Sequence, residues 1–244
     1  MKKIAILSLL VIMISSCSDD TSSTSGNVTL KASAVSTTGK TYLTGRLATT
    51  AVATSTVVIT DFKINIGNIK LETDEGDVRH NEDPLHEDVK LTGPFLLDLL
   101  DSNTTLSQFI TTVNIPNAKY EEIKFNFVPS TLAGDMNGKS YLIKGTIGGK
   151  DFIVSSSENV ELKMDFSDPT KDFTVNGNDI SLNIKIQLDA LMAKITLLAN
   201  QGLLVDTDGD GVIEITTGTE DGHHDMGEMF RDLLENETHL DDKD

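Results

Sequence analysis

The chain has 244 residues, of which 38% are hydrophobic, 24% charged and 5% aromatic, with one cysteine and no tryptophan. This length and apolar fraction suffice for one large domain or two small ones. Asp and Glu total 38 against 20 Lys and Arg, a formal net charge of -18. That charge argues against nucleic acid as a partner and against docking on an anionic membrane by charge alone. A single cysteine excludes a disulfide framework and a zinc site built from several thiolates.

Residues 1–16 predict a lipoprotein signal peptide. Two lysines precede an apolar stretch from Ile4 to Ile14, which is too short to span a bilayer. The segment Ile-Ser-Ser-Cys at 14–17 resembles the lipobox of bacterial lipoproteins, in which the cysteine receives a diacylglycerol and becomes the new N-terminus. The alternative is an ordinary signal peptide that happens to carry a cysteine. Because the chain's one cysteine lies at the cleavage point, we predict lipidation at Cys17 and anchoring to a membrane.

Residues 17–26 predict a disordered tether, since they contain no large apolar residue. Asp19 and Asp20 follow Cys17 closely and resemble the export signal that places some Gram-negative lipoproteins on the cell surface. A solubilising spacer with an accidental pair of acids is the alternative. The expected location is the outer membrane, with the protein facing the cell surface.

Residues 27–200 predict an all-β domain. Short stretches in which apolar and polar residues alternate are separated by Gly, Asn and Asp turns, which favours a β-sandwich or barrel over βαβ units. Gly148-Gly149 is typical of a hairpin turn. The alternating stretches are 28–34, 57–71, 121–128, 140–147, 152–156, 160–166 and 180–188.

Residues 201–244 predict a calcium-type loop, a helix and an acidic tail. Apolar residues recur at helical spacing over 188–198, just before this segment, and again over 226–234 within it. Gly202 stands where the first helix could stop. The predicted fold is therefore an all-β sandwich with one or two short C-terminal helices that pack against it.

The strongest local motif is Asp206-Thr207-Asp208-Gly209-Asp210-Gly211. Carboxylates at alternate positions with Gly at the sixth match the opening of an EF-hand-type calcium loop, in which the chain curls around a hard cation. The alternative is an Asp/Gly-rich surface turn. Because three aspartates within five residues repel one another unless extended or neutralised, we predict calcium bound by Asp206, Asp208 and Asp210.

Two further ligands follow from the same spacing. The Val212 carbonyl takes the seventh position, and Glu214 binds directly or through water. The twelfth position holds Thr217 where a bidentate Glu is expected. Its replacement could be Glu214, Glu220 or Asp221, and the strand-like pattern over 212–215 excludes a full helix-loop-helix.

Other metal and phosphate patterns are better explained as turns or solvated surface. His80 and His86 lie in the acidic stretch 74–88, and a solvated loop explains them better than a metal does. The same holds for His224 and Glu228, which a helix start accounts for. Two loose P-loop matches, 34–41 and 133–140, are each followed by a strand-like stretch where a phosphate-binding helix must begin, so both are predicted to be turns.

Two segments carry a resemblance to a known family. Residues 93–100 (GPFLLDLL) and 115–123 (IPNAKYEEI) resemble a family of bacterial lipoproteins with a domain of unknown function. The resemblance covers about residues 28–190, and Asn117-Ala118 replaces the family's usual Ala-Gly. It implies an immunoglobulin-like or transthyretin-like β-sandwich without an assigned catalytic residue.

The sequence therefore favours a non-enzymatic, surface-tethered lipoprotein with structural calcium and a binding or adhesion role, whose protein or glycan partner is unknown. The alternative is an accessory or carbohydrate-binding component of an outer-membrane uptake system. The lack of tryptophan and the small number of tyrosines weaken that alternative, because sugar platforms need exposed aromatic rings. A hydrolase with a dispersed active site is the third possibility, and no nucleophile elbow or zincin motif supports it.

Overall fold

The computed structural model describes residues 24–35, 57–73, 88–100, 108–165, 172–216, 224–236 and 238–241. In chain order these residues form β1 (Ser25–Val35), β2 (Val57–Thr73), β3 (Val89–Asp98), β4 (Gln108–Pro116), β5 (Lys119–Phe127), β6 (Tyr141–Ile147), β7 (Lys150–Ser156), β8 (Val160–Asp165), β9 (Phe173–Thr174), β10 (Ile180–Gln187), α1 (Leu188–Asn200), β11 (Val212–Thr216), α2 (His224–Asn236) and β12 (Thr238–Asp241).

The strands form two mixed sheets that share one apolar core. The smaller sheet has the order β12-β10-β1-β4, and β1 and β10 run parallel. In the larger sheet, hydrogen-bonded neighbours follow the path β11-β7-β6-β2-β5-β8, with β3 also paired to β2 and β9 to β5. Alternate side chains of both sheets, such as Leu30, Ile64 and Phe125, are buried in the same cluster. The prediction of an all-β sandwich with two short helices is confirmed.

The long strand β2 organises the larger sheet. One of its edges pairs first with β6, from Val57 to Ile64, and then with β5, from Ile66 to Thr73. Strands β5 and β6 therefore lie end to end, and residues 128–140 between them form an insertion loop. Asn65 marks the junction: its backbone N–H donates to the Ser140 carbonyl and its carbonyl accepts from the Val128 N–H.

The insertion loop is held by its own backbone and by ion pairs. The N–H groups of Ser130 and Gly138 donate to the carbonyls of Lys139 and Ser130, closing the loop. Asp135 accepts from the ammonium groups of Lys144 and Lys63, each at 3.0 Å, and these contacts lower the pKa of Asp135 to about 2. The P-loop-like stretch 133–140 lies here and leads into a strand, so its interpretation as a turn is confirmed.

Both predicted helices are present. α1 ends where Gly202, at φ 68°, reverses the chain, and the Leu203 N–H donates back to the Leu198 carbonyl. In α2 the predicted stripe faces the body of the protein, with Phe230 and Leu234 fully buried. α2 packs against β7, β8 and β11. Hydrophobic spacing therefore predicted both the existence and the inward face of each helix.

One predicted boundary needs correction, and the C-terminal segment takes part in the sheets. The predicted tether at 17–26 runs into β1, which begins at Ser25 because this end of the strand pairs with β4 up to Pro116. Within its described residues, the segment 201–244 also takes part in both sheets. β11 pairs in parallel with β7 in the larger sheet, and β12 pairs with β10 in the smaller one. The C-terminal segment thus supplies an edge strand to each sheet.

The outer face of the larger sheet carries a network of ion pairs. Lys70 and Lys124 lie side by side on β2 and β5, and Glu72 stands next to both. The ammonium of Lys124 lies 2.8 Å from Glu72 Oε1 and 2.6 Å from Glu122 Oε1. Burial disfavours the charged form of Glu72, but the ammonium groups of Lys124 and Lys70 outweigh burial and lower its pKa to about 2. Glu72 is therefore charged wherever the protein is folded near neutral pH.

Glu72→Gln should destabilise the protein at pH 7 by roughly 1–2 kcal/mol, because it weakens the contacts to the half-buried ammonium groups of Lys70 and Lys124. A carboxylate whose pKa is lowered on folding stabilises the native state above its unfolded pKa and loses that contribution as the pH falls. The difference between wild type and variant should therefore shrink between about pH 4.5 and pH 2. Urea unfolding across this range measures it, and a constant difference would contradict the assigned ion pairs.

Candidate metal centre

The predicted calcium loop lies between α1 and β11 at the surface of the sandwich. From Gln201 to Gly211 one residue, Leu204, is buried, and it attaches the segment to the core. The loop then enters β11, whose residues Ile213 and Ile215 are buried in the larger sheet. The loop is thus exposed but fixed at both ends by packed elements.

Hydrogen bonds from the backbone orient all three carboxylates. Asp206 accepts from the N–H groups of Gly209 at 2.7 Å and Gly211 at 3.0 Å. Asp208 Oδ1 accepts from the Asp210 N–H at 3.1 Å, and Asp210 Oδ1 accepts from the Val212 N–H at 2.8 Å. Gly209 and Gly211 adopt φ values of 80° and 96°, which side-chain-bearing residues rarely adopt. The glycines therefore permit the tight curl that brings the carboxylates together.

The three predicted aspartates converge. One carboxylate oxygen from each of Asp206, Asp208 and Asp210 lies within 4.8 Å of the others. At such separations each pair of charges repels by about 1 kcal/mol even in bulk water. Several oxygen donors around one point are the ligand type that Ca²⁺ prefers. The arrangement can therefore hold a hard divalent cation, which would remove the mutual repulsion.

The two remaining predicted ligands lie on β11. Val212 is its first residue, and the half-buried Glu214 lies two residues further along the strand, about 7 Å away by strand geometry. Glu214 does not belong to the converging group. An EF-hand loop exits into a helix that brings its twelfth residue back to the ion, whereas this loop exits into a strand that leads away. Thr217, Glu220 and Asp221 lie outside the described residues.

The parallel sheet register reveals an acidic neighbour that the sequence did not indicate. Asp151, at the start of β7, stands opposite Val212, where the loop enters β11, and it is exposed. The parallel pairing of β7 with β11 joins residues about sixty positions apart, and no local pattern predicts such a pairing. Asp151 is therefore the acidic residue that sheet pairing brings next to the loop exit.

The other candidates stay as sequence predictions or acquire a structural role. Cys17, His80 and His86 lie outside the described residues. Glu228 lies 2.6 Å from the guanidinium of Arg231 one turn further along α2, which accounts for its charge.

Comparison with known proteins found no matching family model and no matching curated protein. Among solved structures, the chain is similar to MbnP from Methylosinus trichosporium, with 13% sequence identity and a TM-score of 0.44. The similarity covers 69% of this chain and 78% of that one. Within the described residues, no helix is both long and apolar enough to cross a membrane.

Proposed function

We propose that this chain is a non-enzymatic lipoprotein, anchored through Cys17 to the outer membrane and facing the cell surface, with a binding or adhesion role and a structural calcium ion at Asp206, Asp208 and Asp210. The observation that carries the calcium proposal is the convergence of the three carboxylates at an exposed turn. The lipid anchor and the location rest on the sequence of residues 1–20.

A structural role for the ion follows from where the loop lies in the chain. It joins α1 to β11, and both elements contribute side chains to the core. A cation bound there fixes the turn that leads into an edge strand of the larger sheet, so binding favours the folded state by mass action. This is a role in stability and does not require the ion to reach a substrate.

The shifted pKa values of Asp135, Glu72 and Tyr120 follow from structural contacts. Asp135 and Glu72 have lowered pKa values because lysines pair with them. Burial, followed by the charge of Asp88, raises the pKa of Tyr120 to about 12, and its hydroxyl donates to the Pro116 carbonyl. Each of these three shifts has a structural cause and does not mark a catalytic group, and burial also raises the pKa of the Glu235 carboxyl on α2.

The burial of the tyrosines favours the first proposal over a carbohydrate-binding component. Tyr120 and Tyr141 are each 0% exposed, so neither ring can stack on a sugar. Tyr120 instead stacks on Phe173 inside the protein, with ring centroids 5.0 Å apart. Tyr42 lies outside the described residues.

Calcium should raise the melting temperature of the chain without its signal peptide. Extracellular calcium modules bind with dissociation constants of roughly 0.1–1 mM, so ten times that concentration should add about 1.4 kcal/mol. For a chain of this length that corresponds to a shift of about 3–6 °C. Magnesium should have a smaller effect, because it demands octahedral geometry and holds its waters tightly. Thermal melts with chelator, calcium or magnesium measure the difference.

Two variants locate the effect. Asp208→Ala should abolish the calcium response, whereas Glu161→Ala, which removes the same charge from an exposed position on β8, should keep it. A wild-type melting temperature that does not respond to calcium would refute the site. A response that survives in Asp208→Ala would place the ion at another acidic cluster, with residues 74–88 the first to test.

A further inference from the structure

Exposed apolar side chains recur in the segment that leads into the three-aspartate loop. In the described part of the chain, five large hydrophobic side chains are strongly exposed, and three of them fall within nine residues: Leu197 at 50%, Leu203 at 45% and Val205 at 47%. We call these three residues the apolar tip. Single exposed hydrophobic residues are ordinary, but a group of them is typical of an interaction surface.

The apolar tip is built on a fixed chain reversal. Gly202 donates to the Ala199 carbonyl at 3.0 Å and Leu203 to the Leu198 carbonyl at 3.1 Å, which closes the end of α1. Leu204 points into the core with 8% exposure, so its neighbours Leu203 and Val205 are turned outward. The tip is therefore presented by a closed helix end and a buried anchor, and little ordering entropy is lost when it is covered.

Acidic residues outnumber basic ones along the chain around the apolar tip. Lys194 lies one turn before Leu197 on α1, and from Ile195 to Glu214 there is no Lys or Arg, whereas Asp206, Asp208 and Asp210 follow Val205 closely. A surface that complements this one must combine apolar side chains with positive charge. An anionic bilayer does not fit this description, because its negative charge repels the aspartates. The net charge of -18 on the chain adds to that repulsion.

We propose that the apolar tip and the adjoining aspartates dock a cationic amphipathic segment of a partner protein. This inference rests on the proposed binding role and names the chemistry of the partner. The apolar face of the segment covers Leu197, Leu203 and Val205, while its Lys or Arg side chains meet the three carboxylates. Docking of an amphipathic segment through regularly spaced apolar anchors is a common mode of peptide recognition.

Calcium regulates this docking through the same carboxylates. A bound dication removes most of the negative charge that attracts the basic side chains, so calcium and the segment bind in competition. Because coupling between two binding events is reciprocal, the segment must also weaken calcium binding by the same factor. The surface is therefore open to a basic partner at low calcium and less attractive to it at high calcium.

The test uses two designed amphipathic helical peptides, one made of Leu and Lys and the other of Leu and Glu. Each peptide is titrated into the chain without its signal peptide, and binding is measured by calorimetry at 150 mM salt. The Leu/Lys peptide should bind and the Leu/Glu peptide should not. Changing all three tip residues to Ser should weaken binding at least tenfold. The single variant Leu203→Lys should also weaken binding of the Leu/Lys peptide, because the new ammonium repels the lysines of the peptide. This variant tests the proposal even if the triple variant folds poorly.

The matched control changes the other two exposed leucines, Leu96 and Leu132, to Ser, and its affinity should stay within twofold of wild type. Calcium at 10 mM should lower the affinity severalfold. Equal losses of peptide affinity in the tip and control variants would overturn the proposal. Calcium-dependent binding of the chain to phosphatidylglycerol vesicles would also overturn it, because the tip would then contact a membrane. A chain that melts higher with calcium but ignores both peptides keeps its calcium site and loses the docking surface.

Discussion

Cys17→Ser should abolish incorporation of a palmitate analogue and release the protein from the membrane fraction. The diacylglycerol of a bacterial lipoprotein is attached to the cysteine sulfur, and Cys17 is the chain's one cysteine. Two acyl chains bury enough methylene groups for stable anchoring, whereas one gives marginal, reversible binding. Loss of the attachment should therefore change the protein from wholly membrane-bound to wholly soluble.

Metabolic labelling followed by separation of membrane and soluble fractions measures both effects. Ser18→Ala is the matched control, because it alters the neighbouring residue and leaves the sulfur in place. It should keep the label and the membrane location. Equal labelling of wild type and Cys17→Ser would show that the segment is an ordinary signal peptide and that the protein has no lipid at this position.

The short distance from Cys17 to the fold limits where the domain can lie. Thr24 is already tied to the sandwich, since its carbonyl accepts from the Asn117 N–H at 2.9 Å. The stretch from Cys17 to Thr24 spans at most about 25 Å when fully extended. A lipid at Cys17 would therefore keep the N-terminal end of β1 close to the membrane surface and leave the opposite end of the sandwich free for partners.

Local patterns predicted the features that depend on neighbours in sequence. Alternation placed most strands, helical spacing placed α1 and α2, and Gly148-Gly149 closes the β6–β7 hairpin with φ values of 58° and 87°. The turn between Pro116, the last residue of β4, and Lys119, the first of β5, is local in the same way. The convergence of the three aspartates is also local, because it depends on their alternate spacing and on the two glycines between and after them. Each of these features is decided by residues within one turn or one strand.

Features that depend on distant pairing could not be predicted. β1 and β10 pair in parallel although they lie about 150 residues apart, and β12 joins the same sheet from a segment whose acidic residues indicated a tail. In β3, Leu97 is buried, whereas Phe95 two residues earlier is half-buried. In the sequence Asn65 is one polar residue within an alternating stretch, and its junction role depends on the insertion loop. Sequence alternation gives the face of a strand but not its partner.

Gly145→Ala should destabilise the protein strongly. Gly145 lies in β6 opposite Phe152 of β7, and both face the core. A methyl group on Gly145 would overlap the Val58 carbonyl oxygen and lie 2.6 Å and 2.8 Å from Phe152 Cε1 and Cζ. A ring can shift, but the carbonyl belongs to the long strand β2 and cannot move without breaking the ladder. We expect a loss of about 3 kcal/mol or more in the free energy of unfolding.

Thermal melts of the chain without its signal peptide check this expectation, and a loss of that size should lower the melting temperature by about 6–12 °C. Gly149→Asn is the matched control, because it lies in the adjoining turn with open space around it and Asn tolerates a positive φ. The double variant Gly145→Ala, Phe152→Leu separates the two clashes. It should recover little stability, because the overlap with the Val58 carbonyl remains; full recovery would mean that the ring alone requires glycine at this position.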